Sequence, residues 1–468
     1  MRTLLPRNPW AGTGWAAAGL LVLFFLPASL AAGEPFLIEE PGSEEPNTQV
    51  FRDAKAWVEE TQGTISIPGG QLLSLRTERG TVRVNTGKPG EVSYHIRKRA
   101  YWRSEEDARR LFRAFVVRVR PTATEVRIVG EQIRQRWQDE FEKFQVEYEF
   151  TVPPTFRADV QTQGGNIEIA APLVSLRAVT AGGNIRAGDI GGETSAETAG
   201  GNIAFGHIGG PLRALTAGGD IHVESVRGLA MLETNGGSIA IGHVQGAIRA
   251  RTAGGDIYIE GATEDVYAVT AGGRIVVGGA GGRVQAETAG GNIRIADAGG
   301  LVEAQTAGGG IELDRIRGAI RAATMAGNIL ARLGGDTKLV SASVLQTSFG
   351  DVEVYIPPEL QLTIEAVIEM AAGRKIRTDF PLKIESSGAE HFNVYQVRAY
   401  GELNGGGQVL KIKTVGGAIV IRKLTEELQK QHELLKEHEG RLQWLKERIK
   451  LRRAPKPPAP PPPPEPDQ

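Results

Sequence analysis

Residues 180–185 read Thr-Ala-Gly-Gly-Asn-Ile, residues 198–203 repeat it, and residues 216–221 read Thr-Ala-Gly-Gly-Asp-Ile. The leading threonine recurs at 162, 180, 198, 216, 234, 252, 270, 288, 306 and 324, a constant step of 18 over ten copies. A fixed period near 20 residues is the mark of a solenoid, in which each repeat buries its apolar face only by stacking on its neighbours. Within one repeat, Leu212, Ala214 and Thr216 alternate with Arg213 and Leu215, and Ile221 and Val223 flank His222. Period-two alternation predicts strands with one buried face. Gly218-Gly219 separates the two runs, and a positive φ at such corners is the expected reason for glycine.

The fold predicted is therefore mainly β: a parallel β-solenoid of 18 residues per coil, with a small α+β N-terminal cap and a C-terminal α-helix. The general crossover preference makes right-handed winding the expectation. Three inward columns follow from the period: Ile185 to Ile329, Ala187 to Leu313 through Phe205 and Val223, and Ala178 to Ala322, interrupted by Leu232. The threonines and the column Asn166, Asn184, Asn202, Asn292, Asn328 read as polar ladders that satisfy backbone groups at a corner.

Outward from these coils the chain divides by composition. Residues 1–31 carry Arg2 and Arg7, an apolar run Trp15–Leu26 and the small-residue site Ser29-Leu30-Ala31, a secretory signal pattern. An uncleaved N-terminal membrane anchor is the alternative, although the run is short of the roughly 20 residues a span needs. Export places the protein in the periplasm, on the outer surface or outside the cell. Residues 32–50 read as a flexible acidic leader. Residues 51–155 read as the cap, with strands about Ile65, Leu73, Val82 and Val92 and a helix begun by Ser104-Glu-Glu-Asp. Thr77-Glu-Arg-Gly80-Thr-Val82 already has the later frame and reads as an early, divergent coil.

Residues 156–335 are the regular coils, and 336–423 irregular C-terminal coils in which Thr347 and Thr414 restore the frame. Residues 424–453 switch to a seven-residue step through Leu428, Leu435, Leu442 and Ile449, with Leu445 in the alternate seam. That pattern predicts a helix and a short coiled coil, hence a homo-oligomer. Gln431, His438 and Gly440 weaken it, and a helix packed back on the solenoid is the competing outcome. Residues 454–468 form a proline-rich tail without packed structure.

The frame Thr-x-x-Gly-x-Ile, the stretch Thr347-Ser-Phe-Gly350-Asp-Val, and Gly401-Glu-Leu-Asn-Gly-Gly-Gly407 resemble the bacterial secreted “putative adhesin” family. That is a β-solenoid domain of unknown function. The resemblance covers roughly residues 62–423 and implies the fold; it brings no catalytic residues with it. The regular run of coils, the heptad segment and the proline tail depart from the family pattern.

The chemistry is sparse. The chain has no cysteine, so disulfides and thiol ligands are excluded, and a net charge of −1 gives no reason to expect a nucleic-acid partner. No cofactor or metal is expected. The glycine corners lack the aspartates of calcium-binding roll repeats. Asp189, His207 and Ser225 occupy one column in consecutive coils, a residue set able to support nucleophilic catalysis, but the column continues as His243, Gly261, Gly279, which is the profile of an exposed corner. Tyr258, Tyr267, Val269 and Val276 are the outward apolar residues of neighbouring coils and the candidate interaction patch. The leading expectation is a non-catalytic extracytoplasmic adhesin-like or scaffold protein of the cell envelope, binding a protein or glycan. The alternatives are a parallel β-helix polysaccharide lyase or hydrolase, and a scaffold that self-assembles through solenoid ends.

Overall fold

The structure is a computed structural model that describes residues 47–67, 71–133, 143–334, 341–387 and 395–425. Two long, mainly parallel sheets run the length of the rod. One, the threonine sheet, stacks strands such as Ser175–Thr180, Thr194–Thr198, Leu212–Thr216 and Ala230–Thr234. The other, the isoleucine sheet, stacks Ile185–Ala187, Ile203–Ile208, Ile221–Arg227 and Ile239–Gln245. Register follows the period: Thr198 pairs with Thr216 and Ile203 with Ile221. The inward columns are buried, with Ile221, Ala214 and Val223 fully enclosed.

A further inward column is Leu173, Ile190, Ile208, Val226, Val244, Ala262, Ala280, Ala298, Ile316. It is joined partly by single bridges such as Ile190↔Ile208 and Ala280↔Ala298, and it closes the coil's third side. Burying each of these aliphatic side chains is worth about 1.5–3 kcal/mol.

The polar columns hold the corners. Thr180 Oγ1 donates to Gly165 O at 2.9 Å in the coil before and accepts from Gly183 N at 3.3 Å in its own. The same pair of bonds recurs at Thr198, Thr216, Thr234 and onward to Thr414. In the neighbouring column each side-chain oxygen accepts from the backbone amide one coil on: Asn166 from Asn184, Asn184 from Asn202, Asn202 from Asp220, Asp220 from Ser238. Any residue with a short acceptor serves, which is why Asp and Ser interrupt the asparagines.

The second glycine of each pair is required for a reason other than the expected positive φ. Only Gly165 has one, +125°. At Gly183, Gly201, Gly219 and their successors a Cβ would land on the carbonyl of the preceding coil's glycine.

The ends depart from chain order. At the N-terminal end Leu72–Thr77 lies between Glu125–Gln132 and Arg157–Thr162, so the early coil stacks second rather than first. Antiparallel strands close that end: Asn47–Asp53 on Ala56–Ser66, and Glu91–Ala100 on Phe144–Val152. The strand Asn47–Asp53 thus begins inside the stretch read as leader. The helix Glu105–Ala114 is capped by Ser104 Oγ, which accepts from Asp107 N at 3.1 Å. It buries Leu111 and Phe112 beside Phe115 and Phe144. At the other end Val409–Thr414 lies between Ser343–Thr347 and Leu362–Ile368. The antiparallel strands Gln396–Leu403 and Lys383–Ser387 then complete the threonine sheet. Antiparallel strands thus end both sheets at the N-terminal end and the threonine sheet at the C-terminal end, whereas the isoleucine sheet ends there on Ile376–Thr378, parallel to Ile419–Lys423.

Candidate functional site

The four residues expected to form one patch divide between two faces. Tyr258 and Val276 are paired neighbours on the isoleucine sheet. Tyr267 and Val269 belong to Val266–Val269 of the threonine sheet. Half a coil separates Tyr258 from Tyr267, and half a coil carries the chain to the opposite face. Tyr258 is also not exposed: it is buried, with the Arg274 guanidinium 5.3 Å from its ring centre.

Tyr267 does line a surface feature. On the outward face of the threonine sheet the column Arg213, Met231, Arg249, Tyr267, Gln285 runs in register across five coils. Beside it run Leu215, Glu233, Arg251 and Val269. Of these, Met231, Glu233, Arg249, Arg251, Tyr267 and Gln285 line a shallow depression. Arg251 stacks over Tyr267 at 5.9 Å and reaches its hydroxyl at 3.4 Å. Arg213 Nη1 donates to Met231 Sδ at 3.3 Å. Arg249 is exposed and has no carboxylate partner among the described residues. Asp265 accepts from Arg283 N at 2.8 Å, and the Arg283 side chain turns away to Glu303. Arg283, with Arg321 at 3.0 Å, holds the Glu303 carboxyl below the usual carboxylate range against the opposing effect of burial. Of this site the sequence reading had found Tyr267; Val269 lies on the same face but does not line the depression. It missed Arg249, Arg251 and Met231, whose alternation at one outward column was the available signal.

The Asp189, His207, Ser225 column is partly wired. His207 Nδ1 lies 2.8 Å from Ser225 Oγ, but Asp189 accepts from the backbone amide of His207 at 3.2 Å and does not orient the ring. The other ring nitrogen faces Glu224 at 3.8 Å. The His207 side chain is 64% exposed, so water competes for each of these contacts. The acids that a polysaccharide-cleaving site would need are otherwise engaged. Asp220 accepts from Ser238 N at 2.7 Å, and Asp256 is held by Arg274 through both its amide and its Nε at 2.9 Å. Among the described residues no group of three His, Asp or Glu could hold a metal ion.

The residues expected to drive oligomerisation, Leu428, Leu435, Leu442, Leu445 and Ile449, lie outside the described residues, as do residues 1–31 read as a signal, most of the stretch read as a leader, and residues 454–468. Among the described residues no helix is long and apolar enough to cross a membrane.

No family model matches the chain, and no curated protein matches it. Solved structures do. A “putative cell adhesion protein” from Clostridium sporogenes is 10% identical over 78% of this chain and 100% of its own, with a TM-score of 0.16. A “putative adhesin” from Bacteroides fragilis is 10% identical over 78% and 97%, with a TM-score of 0.22. A “Putative lipid binding protein” from Parabacteroides distasonis is 10% identical over 78% and 97%, with a TM-score of 0.19. The first two names agree with the family that the Thr-x-x-Gly-x-Ile frame resembles. At these scores the superpositions give no residue-level correspondence.

Proposed function

We propose that the protein is an exported, non-catalytic β-solenoid that serves as an adhesin-like interaction or scaffold protein at the bacterial cell envelope. It engages a protein or glycan through the outward face of its threonine sheet. The observation that carries this reading is the row Arg213, Met231, Arg249, Tyr267, in register on consecutive strands, with the Arg249 charge open to solvent. Tyr, Arg and Met are the residue types that anchor binding surfaces. A rigid parallel sheet holds them at about 4.8 Å intervals without backbone ordering cost on binding. The flat floor suits an extended ligand lying along the rod.

The test is binding of the purified chain to isolated envelope fractions, peptidoglycan sacculi and outer-membrane vesicles separately, against the variant Arg249→Glu/Tyr267→Ala. The expected result is saturable binding to one fraction, weakened about tenfold or more in the variant, or about 1.4 kcal/mol. Equal binding by the two proteins, or none by either, overturns the reading. The polysaccharide-cleaving alternative would instead show as soluble sugar released from the sacculi.

A further inference from the structure

The third side of the coil carries a cleft near the start of the regular coils. The bridges Leu173↔Ile190 and Ile190↔Ile208 and the pair Ile208↔Val226 set the register there. The next residues, Val174, Gly191, Gly209 and Arg227, therefore form one outward column beside the buried one. The glycines leave it empty between Val174 at one end and Arg227 at the other, roughly 14 Å apart over three ladder steps. Neither backbone conformation nor close approach asks for glycine at 191. Its φ is not positive, and the nearest atom to an added Cβ is Leu173 O at 3.5 Å, ordinary contact. The cavity is about 670 Å³, within the range usual for ligand sites. Exposed Pro154, Pro172 and Val174 make its apolar end, and exposed Asp189 and His207 line one side.

The cation at the other end lacks a counter-charge. Arg227 is exposed and has no carboxylate partner among the described residues. The solenoid itself shows what such an arginine takes. Five repeats of 18 further on, the same columns hold Asp297 where His207 stands, Arg315 where Ser225 stands and Arg317 where Arg227 stands. The floor is again a glycine pair, Gly281 and Gly299. There the Arg317 guanidinium clasps the Asp297 carboxylate with two nitrogens, Nη2 at 2.5 Å and Nη1 at 3.3 Å. His207 brings no carboxylate, and its ring turns instead to Ser225 Oγ at 2.8 Å. One arginine position thus occurs twice, once with its carboxylate built in and once open to a cavity.

We infer that this cleft binds a carboxylated sugar, whose carboxylate takes on Arg227 the place that Asp297 takes on Arg317. A bidentate arginine–carboxylate pair fixes the orientation of the ligand as well as holding it. Sugar hydroxyls both donate and accept, which suits the carboxylate of Asp189 and the imidazole of His207 along the flank. The C–H face of a pyranose ring suits the end made by Pro172 and Val174. An apolar acid would leave Asp189 and His207 unmatched, and a neutral sugar would leave Arg227 unmatched. The chemistry is met by a uronate polysaccharide or by muramic acid. The cleft lies on a different side of the coil from the depression at Arg249 and Tyr267, so it stands or falls apart from the adhesin reading.

The test is isothermal titration of the full chain with tri-galacturonate, tri-mannuronate and N-acetylmuramic acid. Galactotriose and acetate supply the sugar and the carboxylate separately. At least one of the three acids should bind about tenfold more tightly than either control, and the one that binds identifies the source. Arg227→Gln, at an exposed position, should weaken that binding about tenfold or more. His207→Asp recreates the Asp297 arrangement, so the new carboxylate should occupy Arg227 and weaken binding by a similar factor. His207→Asn keeps hydrogen-bonding groups without adding charge and should stay within about threefold of the parent. Binding of none of the acids, equal binding of galactotriose or acetate, undiminished binding by Arg227→Gln or His207→Asp, or equal losses with Asp and Asn at 207 would each overturn the inference.

Discussion

Thr216 Oγ1 donates to Gly201 O in the preceding coil at 2.8 Å and accepts from Gly219 N in its own coil at 3.2 Å. One buried hydroxyl therefore satisfies two backbone groups that no strand ladder reaches, and ties successive coils together. Thr216→Val keeps the shape and leaves both groups without a partner. The expected cost is about 1–3 kcal/mol, read as a lowered urea midpoint. Thr216→Ser should recover most of it, since only the hydroxyl is needed. Equal destabilisation by Val and Ser would show that packing of the methyl group, rather than the hydrogen bonds, holds the corner.

The glycine pair should respond asymmetrically. A Cβ on Gly219 would strike Gly201 O, whereas the nearest atom to one on Gly218 is Gly200 O at 3.5 Å, ordinary contact. Gly219→Ala should therefore destabilise by about 1–3 kcal/mol or more as the coils are forced apart. Gly218→Ala should be near neutral. Thermal unfolding of the two single variants decides it, and similar losses would mean that backbone conformation, not close approach, selects glycine.

The coil was legible in the sequence because its inward positions are filled by the same residue type at each turn: Ile185, Ile203, Ile221. The column through Leu173, Ile208 and Ala280 escaped notice because it drifts between large and small aliphatics and is one residue wide between glycines. The order of coils at the ends was not legible either. Nothing local in Leu72–Thr77 states that its partner on one side lies at Glu125–Gln132 and on the other at Arg157–Thr162. That choice is made by stacking. The candidate site was half legible: Tyr267 stands out by type, but Tyr258 is separated from it by the corner at Thr263-Glu264-Asp265, across which the chain passes from the isoleucine sheet to the threonine sheet.

The Glu303 clasp predicts a pH dependence. Its carboxyl is held low in the folded chain, chiefly by the Arg283 hydrogen bond and then by Arg321, while the unfolded chain titrates near the ordinary value of 4.5. The unfolded state therefore binds the proton first as pH falls. The stabilisation is present above the ordinary value and lost as pH falls through the depressed one. Glu303→Gln should lower the melting temperature at pH 7 and flatten the slope below the ordinary value of 4.5, parent and variant converging once pH has fallen through the depressed value. Parallel melting curves across that range would remove the clasp as a source of acid sensitivity.

Ser225 tests the non-catalytic reading. Its Oγ lies 2.8 Å from His207 Nδ1, the contact a nucleophile would need, but Asp189 spends its carboxylate on a backbone amide. Ser225→Ala should leave envelope binding unchanged and lower stability by no more than about 0.5 kcal/mol, as for a half-buried residue away from the core. Loss of sugar release from sacculi in this variant, measured against the parent, would instead make Ser225 a nucleophile.

The C-terminal end makes a prediction that chain order alone would get backwards. Val409–Lys423 is later in sequence than Leu362–Ile368 and Ile376–Thr378, yet lies between them and the coil at Ser343–Ile356. Ending the chain at Leu403 therefore removes an interior layer rather than an edge. The strand Leu362–Ile368 loses the ladder that joins it to the rod, keeping only its antiparallel partner Gln396–Leu403. Leu410, Ile412, Ile419 and Ile421 are all buried, and each carries about 1.5–3 kcal/mol of apolar burial. Limited proteolysis of the chain ended at Leu403 should cut throughout 341–403 and spare the coils before Leu333. A chain ended at Thr425 should resist at both places. Protection of 341–403 in the shorter chain would mean that the end folds on itself without the inserted layer.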